Sequence, residues 1–264
     1  MDVHRDFLIA CIAATNAQGV TEYQSRRFST YTGSLRELRD WRLANDCKDV
    51  CMESTGKYWF PVHNILEESC HVVVSHPKFV KAIKGKKTDK KDAQWIADLF
   101  KHDLVRGSFI PPKDIRQLRD LCRYWVKLSS YMTGEKNRAQ NCLTVSNFKL
   151  DDVFSNVFGK SASAITTQLL EHPGEQFDVA PFVDGRCKTP IAQIQEAVDG
   201  IFTYEQAEKL KIIRGHMDSL ERHKAELESL ILEIAQNYLP QIELLLTVPG
   251  IHDAFTAIRI LAEI

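Results

Sequence analysis

The first part of the chain alternates short apolar runs with helical spacing. Residues 7–14 are continuously apolar and end at the turn signal Asn16-Ala17-Gln18-Gly19, and residues 20–30 follow as a second, more polar strand. This order predicts a β-hairpin. Further strands are predicted at 50–52 and 71–75, and helices around 35–43, 58–68 and 90–100. Strands and helices that alternate after a hairpin predict an α/β fold, a mixed sheet with flanking helices.

The pattern changes after Pro111-Pro112. Apolar residues recur at alternating steps of three and four over 115–143 and again over 210–238. This spacing predicts a coiled-coil seam, formed between the two stretches or with a second subunit. The alternative is two ordinary amphipathic helices of a bundle. Residues 144–204 mix short helical patterns with Pro and Gly, which predicts a small helical insert or a mobile linker.

A last break, Thr247-Val248-Pro249-Gly250-Ile251, precedes a new apolar helix that starts near Ala254. We therefore predict three parts. An α/β domain spans 1–110, a helical coiled-coil region with its insert at 144–204 spans 111–240, and the start of a C-terminal helical domain spans 241–264.

Composition excludes several classes of protein. Of the 264 residues, 44% are hydrophobic and 26% charged, which is typical of a globular protein with a core. No stretch of 18 apolar residues is present, so we expect no membrane partner. The seven cysteines are scattered without a Cys-x-x-Cys pair, which favours reduced thiols in the cytoplasm over disulfides or structural zinc.

Charge is concentrated in one segment. The net charge is only −1, which argues mildly against a nucleic-acid binder. Between residues 78 and 91, however, seven lysines surround a single acid, Asp89. Local charge sets the field that a phosphate backbone meets, so this segment is a candidate nucleic-acid contact. The alternative is a solvated basic loop. The lysines are Lys78, Lys81, Lys84, Lys86, Lys87, Lys90 and Lys91.

Four acids are candidates for a metal site: Asp2, Glu53, Asp89 and Asp92. Two-metal phosphodiester chemistry needs several carboxylates at one point, because Mg²⁺ prefers oxygen ligands. Glu53 ends an apolar strand, where ligand sites of α/β sheets lie, and Asp89 and Asp92 share one helical face. Each acid also has an ordinary explanation. Asp89 would be a helix N-cap paired with Asp92, and Glu53 would be a solvated strand end. Asp2 would be a terminal surface residue, and Asp6 is its rival for the place in the metal site.

Four segments together resemble the DEDD-type transposases of the insertion-sequence family 110 group, the bridge-RNA-guided recombinases. They are Met1-Asp2-Val3-His4-Arg5-Asp6, Met52-Glu53-Ser54-Thr55-Gly56-Lys57-Tyr58-Trp59, Lys87-Thr88-Asp89-Lys90-Lys91-Asp92-Ala93 and Thr247-Val248-Pro249-Gly250-Ile251. Their order and spacing fit the family over essentially the whole chain.

The resemblance implies a RuvC-like, RNase H-like N-terminal domain whose acids Asp2, Glu53, Asp89 and Asp92 hold Mg²⁺ or Mn²⁺ and cleave DNA. It implies a coiled-coil region through which the protein forms a homo-oligomer. A structured non-coding RNA would pair with donor and target DNA. A C-terminal transposase domain would supply a serine nucleophile. We expect a bacterial, cytoplasmic, nucleoid-associated protein.

The ends depart from the family pattern. Only Met1 precedes Asp2, so most of the first strand is missing and the hairpin at 7–30 supplies strands two and three. The chain stops soon after the Val-Pro-Gly-Ile segment, so we expect a chain truncated at both ends, with the serine beyond residue 264.

The Val-Pro-Gly-Ile segment predicts a tight turn. Gly250 should take backbone angles that other residues disfavour, and the helix N-terminus near His252 should offer free N–H groups to a phosphate. Both residues are therefore candidate nucleic-acid contacts; the alternative is a plain helix connector.

Two other functions remain open. One is an RNase H-like nuclease or Holliday-junction resolvase, which shares the carboxylates and metal but needs no guide RNA. The other is an inactive coiled-coil DNA-binding fragment, for which the heptads and lysines suffice.

Overall fold

The computed structural model describes residues 1–54, 56–80 and 88–264, which form two compact units, Met1–Pro111 and Pro112–Ile264. The first unit combines strands and helices, and the described secondary structure of the second is helical, as the sequence patterns predict. Four of the predicted lysine contacts, Lys81, Lys84, Lys86 and Lys87, lie outside the described residues.

The predicted hairpin is confirmed in the first unit. Strands β1 (Asp2–Val3), β2 (Phe7–Thr15) and β3 (Thr21–Ser29) form an antiparallel sheet in that order. The β2–β3 turn uses Gly19 at a φ of +78°. It is closed by the Asn16 side chain, whose Oδ1 accepts from two backbone N–H groups within 3.1 Å. Glycine adopts a positive φ at little energetic cost, which explains why the turn forms at the predicted Asn16–Gly19 segment.

The rest of the first unit alternates helices and strands. Helix α1 (Thr32–Ala44) precedes β4 (Asp49–Glu53), α2 (Trp59–Leu66) connects β4 to β5 (His71–Ser75), and α3 (Pro77–Val80) and α4 (Asp89–Lys101) follow. Strands β4 and β5 pair in parallel, with Val50 opposite Val72. Their crossover through a helix is the expected way to join parallel strands.

The predicted mixed sheet is present as two hydrogen-bonded ladders rather than one. Strand β1, which has two residues, pairs with β2 and contacts β4, and the Met1 amine donates to the Cys51 carbonyl at 2.7 Å. Leu8, Met52 and Val62, each 0% exposed, join the two ladders in one core.

Two long helices, α5 (Lys113–Val145) and α9 (Tyr204–Ala235), dominate the second unit. Trp125 Nε1 donates to Glu228 at 2.8 Å, and Glu135 lies 3.1 Å from His216. Residue numbers rise along α5 as they fall along α9, so the helices are antiparallel. The two predicted stretches therefore pair with each other within the chain, and whether they form a coiled coil or ordinary bundle helices stays a prediction.

Between these helices the insert is ordered and helical. It contains α6 (Leu150–Val153), α7 (Lys160–Glu171) and α8 (Ile191–Ala197). Ile165 and Ile194, both 0% exposed, pack in a core that also includes Leu210 of α9. Such burial is that of a structural insert rather than of a mobile linker.

Two shorter helices end the chain: α10 (Leu239–Leu246) and α11 (Ala254–Glu263). Ala257 and Ile258 of α11 pack against Leu118 of α5. Arg123 donates two hydrogen bonds to Glu263, both 2.8 Å long. Within the described ranges, no helix combines the length and apolar character needed to cross a membrane.

The packing of α9 gives a stability prediction from two neighbouring residues. Ile231 is 0% exposed and Leu230 is 49% exposed. Ile231→Ala should lower the free energy of unfolding by about 2–5 kcal/mol, because it removes buried methyl groups and leaves a cavity. Leu230→Ala should change it by no more than about 0.5 kcal/mol. Urea denaturation followed by circular dichroism measures both, and equal losses would contradict this packing.

Candidate metal centre

The short strand β1 places Asp2 at the edge of the antiparallel sheet, and His4 follows directly after the strand. Asp2 pairs with Ile9 across the ladder, and its side chain is only 15% exposed. The chain then reverses, with the His4 backbone N–H donating to the Phe7 carbonyl at 2.9 Å. The two side chains are separated by one residue and are therefore brought to the same end of the strand.

Helix α4 brings the second group of acids. Its N-cap is Thr88, in an extended conformation, whose Oγ1 accepts from the Lys91 N–H at 3.3 Å. The alternative explanation that Asp89 caps this helix is therefore wrong. Asp89 and Asp92 instead lie in the first turn, where the helix dipole favours negative charge.

Asp2, His4 and Asp89 come together. His4 Nε2 lies 3.2 Å from Asp2 Oδ2 and 3.8 Å from Asp89 Oδ1. One ligand atom from each residue falls within 4.8 Å of the others, a spacing that suits a single metal ion. His4 and Asp89 are 40% and 50% exposed, so the group is open to solvent on one side.

The electrostatics of Asp2 connect Glu53 to this group. Burial raises the pKa of the Asp2 carboxyl, and the charges of Asp89 and Glu53 raise it further, whereas His4 opposes the shift. Desolvation and neighbouring negative charge both disfavour an ionised carboxylate. A cation placed among these carboxylates would relieve both costs.

Glu53 and Asp92 do not join the three-residue group itself. Glu53 is the last residue of β4 and half-buried, and Asp92 is half-buried one turn beyond Asp89. Among the described residues, the only set of three ligand atoms within 4.8 Å is that of Asp2, His4 and Asp89.

His4 was not among the residues predicted from the sequence, where only carboxylate oxygens were candidate ligands. The Asp2-Val3-His4 spacing is a signal for it, because side chains two residues apart in an extended segment point to the same side.

Three of the predicted lysine contacts are described. Lys78 is exposed in α3, and Lys90 and Lys91 are exposed in the first turn of α4, next to Asp89. Two exposed lysines therefore follow Asp89 directly in the first turn of α4.

The turn before α11 is partly as predicted. Gly250 has a φ of +96°, which confirms its expected backbone angle. The helix N-terminus is not free, however. Asp253 is its N-cap and accepts from the Thr256 N–H at 2.8 Å. Hydrogen bonds from the Thr256 hydroxyl and from its N–H lower the pKa of Asp253. The expectation of free N–H groups is therefore wrong at Thr256, and a phosphate contact by Gly250 and His252 stays a prediction.

A cavity of about 550 Å³ in the first unit lies apart from the acids. Its lining comes from β2, β4 and neighbouring helices and includes Cys11, Trp41 and Val50. None of the four predicted acids lines it, and burial raises the pKa of the Cys11 thiol above its usual value. The cavity is therefore separate from the group formed by Asp2, His4 and Asp89.

Comparison with known families identifies the family of the chain. The family model DEDD_Tnp_IS110, described as "Transposase", matches residues 1–147. That range includes all four acids and all seven lysines of the 78–91 segment. No curated protein matches the chain.

Asp2 gives a prediction on pH dependence. Its pKa is raised in the folded protein, so the stability gained from its neutral form is present below the unfolded pKa, about 3.9, and is lost as pH rises through the folded value. Asp2→Asn cannot ionise. In metal-free buffer it should therefore be more stable than the wild type at pH 7, with the difference disappearing near pH 4.

The measurement is thermal unfolding of both proteins from pH 4 to pH 8. Asp6→Asn is the control, because the Asp6 side chain is 75% exposed and pairs with Arg5 at the surface. Parallel curves for Asp2→Asn and the wild type would contradict the cost assigned to the Asp2 charge.

Proposed function

Because the chain belongs to the DEDD_Tnp_IS110 transposase family, we propose that it cleaves and transfers DNA strands for an insertion sequence with divalent metal held by its acidic residues. The family itself supports a transposase function and DNA as the partner, and DEDD-type transposases generally use divalent metal. The observation that carries the finer proposal is the convergence of Asp2, His4 and Asp89, with Glu53 in electrostatic reach of Asp2.

The donor set fits a divalent ion. Asp2, Glu53 and Asp89 offer hard carboxylate oxygens, which Mg²⁺ and Mn²⁺ accept. Asp92 lies one turn beyond Asp89 on α4 and would be the fourth acid of the site. A bound ion would polarise the scissile phosphate and stabilise the attacking and leaving oxygens.

The chain's own residues have separate tasks in this proposal. Asp2, whose side chain is 15% exposed, would bind the ion from the buried side, and Asp89, 50% exposed, would bind it from the side open to solvent. Lys90 and Lys91 are exposed beside Asp89 and would hold the phosphate backbone against it. In this proposal the lysines attract the DNA phosphates, and the acids hold the metal ion that these phosphates must reach.

A RuvC-like, RNase H-like fold is part of the same proposal. The β1–β2–β3 antiparallel sheet followed by the parallel β4–β5 pair with flanking helices supports it. A carboxylate in the first strand and another at the end of β4 lie where that fold is expected to carry its acids.

The remaining parts rest on family resemblance. A structured guide RNA would pair with donor and target DNA, and a serine nucleophile would come from a C-terminal transposase domain. Homo-oligomerisation stays a prediction as well. It needs a surface other than the α5–α9 seam, because that seam is buried within the chain.

The metal proposal predicts a large stabilisation by Mg²⁺ or Mn²⁺. At a metal concentration 100 times the Kd, binding to the folded state alone adds about 2.7 kcal/mol, which raises the melting temperature. The Asp89→Asn, Asp92→Asn double variant should lose most of this rise and all metal-dependent nicking of duplex DNA. Asp6→Asn should keep both. An equal rise in the double variant would show that the metal binds elsewhere.

The lysines predict a salt effect on DNA binding. Each phosphate contact contributes about −0.9 to the slope of log affinity against log salt, so Lys90→Ala with Lys91→Ala should make the slope less steep by roughly two. The change should be the same for unrelated sequences, because phosphate contacts carry no direct base information. Lys188→Ala, an exposed lysine of the second unit, is the control. An unchanged slope in the double variant would assign these lysines to a solvated surface.

A further inference from the structure

His4 stands between the two carboxylates that the fold brings together. Its Nε2 atom lies 3.2 Å from Asp2 Oδ2 and 3.8 Å from Asp89 Oδ1, so one ring nitrogen faces both. A histidine in this position can either form hydrogen bonds to both carboxylates or bind a metal ion together with them.

Local packing fixes the direction of the His4 ring. The ring centroids of His4 and Phe7 lie 4.7 Å apart, and the backbone of His4 is hydrogen-bonded to Phe7. Phe7 in turn carries the Arg27 guanidinium, whose carbon lies 4.0 Å from the ring centroid. An imidazole held in this way loses little further freedom when it binds an ion, which is the advantage of a preorganised ligand.

Nitrogen and oxygen donors select different ions. Mg²⁺ requires near-ideal octahedral oxygen coordination and is bound mainly by carboxylates, phosphates and water. Imidazole suits first-row transition-metal dications, and their affinity for such mixed sites rises from Mn²⁺ towards Cu²⁺. A site that includes one imidazole therefore favours these ions over Mg²⁺.

We propose that His4 is a metal ligand that gives this site its preference for first-row transition-metal dications, Mn²⁺ among them, over Mg²⁺. The inference rests on the proposed metal-dependent function. Nitrogen would come from His4, and oxygen from Asp2 and Asp89, whose ligand atoms share the 4.8 Å group. His4 would thereby be the specificity-determining residue of a site whose other members are acids.

The test compares Mn²⁺ and Mg²⁺ binding to the whole chain in three proteins: the wild type, His4→Asn and His71→Ala. Asn keeps a polar side chain but replaces the ring nitrogen with an amide oxygen. His71 is the matched control, a histidine of the same unit whose side chain is 71% exposed. Free Mn²⁺ measured by electron paramagnetic resonance gives its Kd, and competition gives the Kd of Mg²⁺.

We expect the wild type and His71→Ala to bind Mn²⁺ more tightly than Mg²⁺ and to show coupling of bound Mn²⁺ to a nitrogen-14 nucleus. Loss of even an outer partner of a ligand costs about 10–100-fold in affinity, so the Mn²⁺-to-Mg²⁺ preference should fall at least about tenfold in His4→Asn. The nitrogen coupling should disappear, while Mg²⁺ binding persists.

The failures are distinguishable. If both ions bind the wild type but His4→Asn keeps the preference and the nitrogen coupling, the assignment of His4 is overturned and the metal site stands. If both affinities fall equally in His4→Asn, His4 positions Asp2 instead, and the assignment is again overturned. If neither ion binds the wild type, the proposed metal-dependent function itself fails. A fully folded circular dichroism spectrum for His4→Asn keeps these outcomes separate from misfolding.

Discussion

The position of α4 against the antiparallel sheet is the constraint on which the candidate centre depends. Ala93 and Ile96 are 0% and 2% exposed, so the helix lies close against the structure beneath it. At its far end the Tyr23 hydroxyl donates to Asp98, which ties α4 to β3. Thr88 fixes where the helix begins. Because both ends of α4 are fixed in this way, Asp89 in its first turn lies close to Asp2 of β1.

This placement brings carboxylates of like charge close together. Neighbouring like charges disfavour an ionised carboxylate, and the charges of Asp89 and Glu53 add to the raised pKa that burial gives Asp2. The dipole of a helix contributes only about 0.3–1 kcal/mol to an acid in its first turn. Exposure of Asp89 weakens the repulsion, and His4 opposes the raised pKa of Asp2. A divalent ion does more than either, because it reverses the sign of the interaction for every carboxylate at once.

Much of the fold could be predicted from the sequence, since the apolar periodicity of β2, β4 and α9 records local burial. The candidate acids could be proposed too, because Glu53 ends a strand and Asp89 begins a helix. What could not be predicted were matters of non-local contact. The N-cap of α4 is Thr88 rather than Asp89, and the side chain of Asp253 accepts a hydrogen bond from the N–H of Thr256. His4 lies beside Asp89 because the fold brings the start of α4 to the residues that follow β1. These two residues are 85 positions apart in the chain (89 minus 4).

The caps at two helix N-termini also separate the candidate DNA contacts. At α11 the Asp253 carboxylate already occupies the positive end of the helix, so a phosphate approaching His252 would meet a negative charge. At α4 the cap is the neutral Thr88 hydroxyl, and exposed Lys90 and Lys91 follow it. A phosphate there gains from the helix dipole and the lysines, and a metal ion would screen it from Asp89. The first turn of α4 also carries Asp89 and Asp92, so a DNA backbone is favoured at α4 over the Val-Pro-Gly-Ile turn only when a metal ion offsets these two charges.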